Sequence, residues 1–100
     1  MELTNRKLVT IVTEAAIEDT LVLELEQLGA RGYTITDARG KGSGGKRDAT
    51  WGPQANIRLE VLCDVATADA ICTALRERYS DNYAMVMYVS DVDVMRPLKF

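Results

Sequence analysis

Histidine is absent from this 100-residue chain. With it go the commonest general base and the commonest metal ligand. Cysteine is scarce: Cys63 and Cys72 stand apart in the chain and form no CxxC pair. Both read as buried free thiols suited to a reducing cytoplasm, and no metal site is expected. No apolar run approaches the ~20 residues of a membrane span. The N-terminus also lacks the charged-then-apolar pattern of a secretory signal, so a cytoplasmic protein is expected. Positive charge is in deficit, with a formal net charge of −3 and a pI near 4.9. That balance speaks against general nucleic-acid binding, which needs a basic face.

The apolar content of 47% suits a globular protein. Residues 1–100 read as one small domain whose thin core would gain from self-association. The few cations are unevenly spread. Arg39-Gly-Lys-Gly-Ser-Gly-Gly-Lys-Arg47 holds four of them, four glycines and no acid, which leaves the remainder of the chain at a net of −7. Glycines let the backbone turn its N–H groups toward a ligand, and flanking Lys and Arg add charge. Such a loop suits an anion, above all a phosphate; the bland alternative is a solvated hairpin tip.

Periodicity organises the rest. Lys7–Thr13 is β-branched and reads as a strand, with Leu8, Thr10 and Val12 on one side and Val9 and Ile11 on the other. Thr13 is placed to cap a helix from Glu14 to about Leu28, whose buried stripe is Ile17, Leu21, Leu25 and Leu28. Gly29 and Gly32 stop it. Tyr33–Ala38 is a second strand, followed by an aperiodic stretch to about Pro53. Asn56–Leu62 alternates as a third strand, with Ile57, Leu59 and Val61 inward and Arg58 and Glu60 outward. Thr67 is placed to cap a second helix to about Tyr79, and Tyr83 to about Met95 is the last strand.

The order βαββαβ predicts an α+β, ferredoxin-like sandwich: a four-stranded antiparallel sheet with both helices on one face. Since both sides of the first strand are apolar, either Val9 and Ile11 or Leu8 and Val12 need cover from outside the monomer. Oligomerisation through the open sheet face is expected.

Gly40, Gly42 and Gly45 satisfy G-x-G-x-x-G, but no helix can follow at Asp48–Pro53, as that fingerprint requires. Gly40 to Lys46 resembles a P-loop, yet Arg47 stands where the metal-binding hydroxyl belongs. Both matches are coincidences of glycine density. Asp91 and Asp93 share a strand face and Glu14 and Glu18 a helix side; both pairs read as solvated edges, so no catalytic residue is assigned. Trp51 is a packing anchor or a partner contact. An RNA-recognition reading fails because the third strand has no aromatic to stack bases.

Gly32-Tyr-Thr34, Gly40-Lys-Gly-Ser43, Ala55-Asn-Ile-Arg58 and Asn82-Tyr-Ala84, in this order, resemble the PII-type signalling proteins. More narrowly, they are similar to the PII-like branch linked to inorganic carbon, the SbtB and carboxysome-associated PII (CPII) proteins. The resemblance implies a homotrimer binding adenine nucleotides in clefts between subunits, with a T-loop at about residues 39–55 whose order follows the ligand. It implies that Gly32, Tyr33 and Thr34 lie beside adenine and ribose. By the same carry-over Arg39, Gly40, Lys41, Gly42 and Ser43 approach the phosphates, joined by Arg47 and Arg96. Met85, Met87 and Val89 line the neighbouring side of the cleft. Lys41, Gly42 and Ser43 are the candidates for bicarbonate.

Departures narrow the ligand. No modifiable tyrosine is recognisable between Gly40 and Pro53, and Ser80-Asp-Asn-Tyr83 replaces a lysine-bearing segment that holds triphosphates. ADP, AMP or a cyclic nucleotide such as cyclic AMP is therefore favoured over ATP, and no catalytic cofactor is implied. The resemblance points to a non-enzymatic cytoplasmic regulator that meets a bicarbonate transporter or a carboxysome component through its T-loop. A weak nucleotide phosphohydrolase is the alternative from another class, and a metal-tolerance trimer of the same fold lacks its histidine ligands.

Overall fold

A computed structural model describes residues 2–40 and 56–95. The strands are β1 (Thr4–Glu14), β2 (Thr34–Ala38), β3 (Asn56–Cys63) and β4 (Met85–Val94); the helices are α1 (Glu18–Gln27) and α2 (Val65–Arg78). A single 3-10 turn, Ala15–Ile17, joins β1 to α1. The sheet runs β2-β3-β1-β4 with every neighbouring pair antiparallel. This is the expected βαββαβ sandwich.

Alternation along β1 sorts the two faces. Val9 and Ile11 are fully buried, together with Leu59 and Val61 of β3, under Leu21, Leu25, Ile71 and Leu75 of the helices. Leu8 and Val12 thus lie on the uncovered face. β1 is longer than its apolar run predicts because β4 pairs with it from Thr4 to Thr13 and β3 from Lys7 to Glu14. A central strand has both edges satisfied, so pairing carries polar ends into the ladder.

Both helix starts differ from expectation. Thr13 does not cap α1: its hydroxyl donates to the Ala84 carbonyl at 2.8 Å, and the Glu14 carboxylate accepts from the Ala84 N–H at 2.8 Å. These bonds join positions about seventy residues apart in sequence, which local capping rules cannot foresee. They pin the start of β4 to the end of β1. α1 begins without a side-chain cap, its first turn carrying Glu18 and Asp19 against the positive helix end. At its other end Ala30 N–H donates to Leu25 and Gly29 N–H to Glu26, a Schellman closure with Gly29 at φ 101°.

Asp64, rather than Thr67, caps α2, accepting from the Thr67 N–H at 2.8 Å. That backbone hydrogen bond, helped by the Thr67 hydroxyl, holds the Asp64 carboxyl below its ordinary 3.8. A depressed carboxylate stabilises the fold above its ordinary pKa and loses that effect as pH falls through the lowered value. Asp64→Ala should therefore lower the melting temperature at neutral pH. The gap to the parent should close as pH drops below 3.8, which calorimetric scans across pH would check.

The helices are tied to each other at one end. The carboxylate of Glu24, 9% exposed on α1, accepts from the Tyr79 hydroxyl at 2.8 Å and from the Arg78 guanidinium. The hydrogen bond to Glu24 raises the Tyr79 pKa. Burial pushes the Cys63 thiol up to about 11 and raises that of Cys72 as well. Both are free thiols that stay protonated near neutral pH.

Candidate functional site

β2 is an exposed edge strand entered through Gly32 and Tyr33. Register places Thr34 opposite Glu60, while Leu62 of β3 lies opposite Leu8 of β1. Val92 and Val94 of β4 continue that surface across the sheet. Together Leu8, Gly32, Tyr33, Thr34, Glu60, Leu62, Val92 and Val94 line a groove of about 540 Å³ on the face the helices leave uncovered. Its size is ordinary for a small-molecule site, and its lining is apolar with few polar groups, as such sites usually are. Gly32 lies on it with nothing within 4 Å of where a Cβ would be, so packing within the chain does not demand a glycine there. What the missing side chain provides is backbone open to an outside group.

The predicted nucleotide residues divide into two sets. Gly32, Tyr33 and Thr34 lie in the groove. Arg39 and Gly40, both exposed, follow the other end of β2, beside the start of β3 at Asn56. Glu14 and the Ala84 clamp share that second end. Leu8 and Glu14 are six positions apart on β1, roughly 20 Å at a strand's rise of 3.3 Å. One chain therefore keeps the groove and the root of the glycine loop at opposite ends of its sheet.

Met85 follows Ala84 at that second end, and Met87 lies two positions further along β4. Both are half-buried and packed against the hydrophobic core, on the helix-covered side that they share with Thr13 and Ile11 in register. The family resemblance assigns them to a cleft wall between subunits; within one chain they pair with Thr13 and Ile11, which are buried. Val89 is 45% exposed on β4, an edge strand among the described residues. Lys41, Gly42, Ser43, Arg47 and Arg96, and with them the bicarbonate candidates, fall outside the described residues, as does Trp51.

The segment 80–84 carries no basic residue. Its backbone folds back on the helix end through Asn82 and Tyr83 N–H bonds to the Tyr79 carbonyl. Asp91, which shares a strand face with Asp93, pairs with Lys7; Glu14 is the last residue of β1, so it does not sit on a helix side with Glu18, and it holds Ala84. Among the described residues no cluster of three metal-ligating side chains occurs. No helix among them is long and apolar enough to cross a membrane.

Sequence reading missed five of the groove residues: Leu8, Glu60, Leu62, Val92 and Val94. Alternation did place Glu60 on the outward face of β3, but outward looked like solvent until β2 was paired beside it.

The model for the nitrogen regulatory protein P-II family matches residues 6–99. A PII-like signalling protein of Thermus thermophilus is 43% identical, with 100% of this chain and 99% of that one covered at a TM-score of 0.84. CPII of Thiomonas intermedia, in a structure bound to ADP and bicarbonate, is 26% identical, with 99% and 97% covered at a TM-score of 0.86. Another CPII structure, bound to ADP, AMP and bicarbonate, aligns at 25% identity over 99% and 96% with a TM-score of 0.84. With the family match spanning almost the whole chain and the sandwich reproduced along its length, this protein belongs to the PII family of regulatory signalling proteins, which are typically trimeric and generally non-enzymatic.

Proposed function

We propose that the chain is an adenine-nucleotide sensor of the inorganic-carbon branch of PII-like proteins. It works as a cytoplasmic homotrimer that binds ADP or AMP together with bicarbonate. The observation that carries this reading is the groove walled by Gly32, Tyr33 and Thr34, the residues the family resemblance assigns to adenine and ribose. The ADP, AMP and bicarbonate in the CPII structures support the ligand choice.

The separation of groove and loop root supports a cleft between subunits. A second copy, docked on the open sheet face, would bring its own Arg39–Ser43 segment to this groove. Base and phosphates would then be held by different protomers. The absence of a cation from residues 80–84 removes one contact to a third phosphate, which favours ADP, AMP or cyclic AMP over ATP. Lys41, Gly42 and Ser43 would take bicarbonate in the space a γ-phosphate leaves, while Arg47 and Arg96 add charge. Ordering of the T-loop, residues 39–55, would change the surface offered to a partner such as a bicarbonate transporter or a carboxysome component.

Titration calorimetry with AMP, ADP, ATP and cyclic AMP, each with and without bicarbonate, tests this. ADP and AMP should bind most tightly, and bicarbonate should tighten them further. Lys41→Ala and Arg47→Ala should each weaken ADP by about 1–3 kcal/mol, the usual worth of a charged hydrogen bond. Affinities equal to the parent would remove the loop from the site, and indifference to bicarbonate would end that part of the reading.

A further inference from the structure

We infer that Asn56 selects the small anion that accompanies the nucleotide, admitting one that carries a proton, as bicarbonate does, and rejecting one that carries none, as nitrate. This rests on the bicarbonate reading above and deepens it. Two buried side-chain oxygens among the described residues have no hydrogen-bond partner, Thr10 Oγ1 and Asn56 Oδ1. Thr10 lies in mid-sheet, between Glu60 on β3 and Tyr88 on β4. Asn56 is different in place: it opens β3 at the end of the sheet where β2 runs into Arg39 and Gly40. It is only 8% exposed there.

An amide oxygen buried without a partner is costly, and asparagine is a poor strand former. Packing within the chain gives no reason for it at this position; a ligand with a matching edge does. Register sets Asn56 between Ala38 of β2 and Glu14 of β1. Oε2 of Glu14 accepts from the Ala84 N–H at 2.8 Å, so this row of the sheet turns acceptors toward its surroundings. The cations lie along the chain from Arg39 onward. An anion drawn in by those cations meets Asn56 and Glu14 on its other side, and only a proton-bearing side can be turned to them.

The carboxamide has the chemistry for this choice. It presents a donor and an acceptor together. The HO–C–O edge of bicarbonate presents the same pair in reverse, so N–H meets an oxygen of the anion and the anion's O–H meets Asn56 Oδ1. Rotation about the amide's terminal torsion, which is broad, swaps the two bonds and leaves the match intact. The anion's remaining oxygen stays free for a cation. Nitrate has the same planar shape and the same single charge but only acceptors. Against it Asn56 Oδ1 stays unpaired, and acceptor faces acceptor with Glu14 alongside. Discrimination of this kind needs the repulsive element as much as the attractive one.

The test is calorimetry of the full chain saturated with ADP and titrated with sodium bicarbonate or sodium nitrate at one pH and ionic strength. The parent should bind bicarbonate at least about tenfold more tightly than nitrate. Asn56→Leu, similar in size and without hydrogen-bonding groups, should bring the two anions to within about threefold of each other. Its melting temperature should not fall, because the amide oxygen it removes has no partner in the chain; a purely structural asparagine would give the opposite. Asn56→Asp keeps the size but exchanges the amide N–H donor for a second acceptor, and should also lose bicarbonate affinity by about tenfold. Equal binding of bicarbonate and nitrate by the parent overturns the inference and leaves the bicarbonate reading intact. A preference unchanged in either folded variant overturns it as well. Should the ADP-loaded chain bind neither anion, the bicarbonate reading itself falls and takes this role of Asn56 with it.

Discussion

Leu8→Asp should convert the assembly to monomers and abolish ADP binding in the same step. Leu8, Val12, Leu62, Val92 and Val94 are half-buried on the face the helices leave open, and Val86 and Tyr88 beside them are 45% and 47% exposed. A contiguous apolar surface of this kind marks a contact between chains, and the PII family is typically trimeric. A carboxylate at its centre would have to be desolvated in the interface without a partner, an effective cost of several kcal/mol. Light scattering behind size exclusion would report the mass, and circular dichroism would verify that the monomer stays folded. Leu23→Asp is the control, since Leu23 is 61% exposed on α1 and should leave the assembly intact. Leu8 also lines the groove, so ADP binding is lost through that contact as well as through separation of the copies. A folded monomer that binds ADP as well as the parent would refute the shared site.

Leu25→Ala should have the largest effect on stability, about 2–5 kcal/mol. Leu25 is fully buried between the helices and the sheet, so the deletion leaves a cavity that the rigid strands cannot fill. Its carbonyl also receives the Ala30 N–H that closes α1, and a shift of that turn would loosen the helix end. Against a total of roughly 5–15 kcal/mol for a natural domain, the loss should be plain in urea denaturation. Folding and assembly are coupled in an oligomer, so the comparison must be made at matched protein concentration. Leu23→Ala, on the exposed side of the same helix, should stay within about 0.5 kcal/mol of the parent. Similar losses at both positions would contradict the buried stripe.

The fold was legible because the signals that specify it are local and repeated. Period-two alternation at Asn56–Leu62 and helical spacing at Leu21, Leu25 and Leu28 depend only on near neighbours in the chain. Helix ends were less legible. Thr13 has the right chemistry for a cap, but a carbonyl about seventy positions away competes for its hydroxyl and wins. Asp64 caps α2 three residues before Thr67, and both candidates looked alike without backbone angles.

The site shows the same division. Gly32-Tyr-Thr34 was visible as a motif, and Arg39–Arg47 as a cluster of charge and glycine. Composition and spacing determined those by themselves, along with the βαββαβ order and the acidic balance of the rest. Only tertiary structure decided that Glu60 and Leu62 join Thr34 and Leu8 in one groove, because cross-strand register is a long-range property. It alone turned Met85 and Met87 toward the core, and set the groove and the loop root at opposite ends of one sheet. The reason is physical: side-chain chemistry is written residue by residue, but which chemistries meet depends on how strands pair.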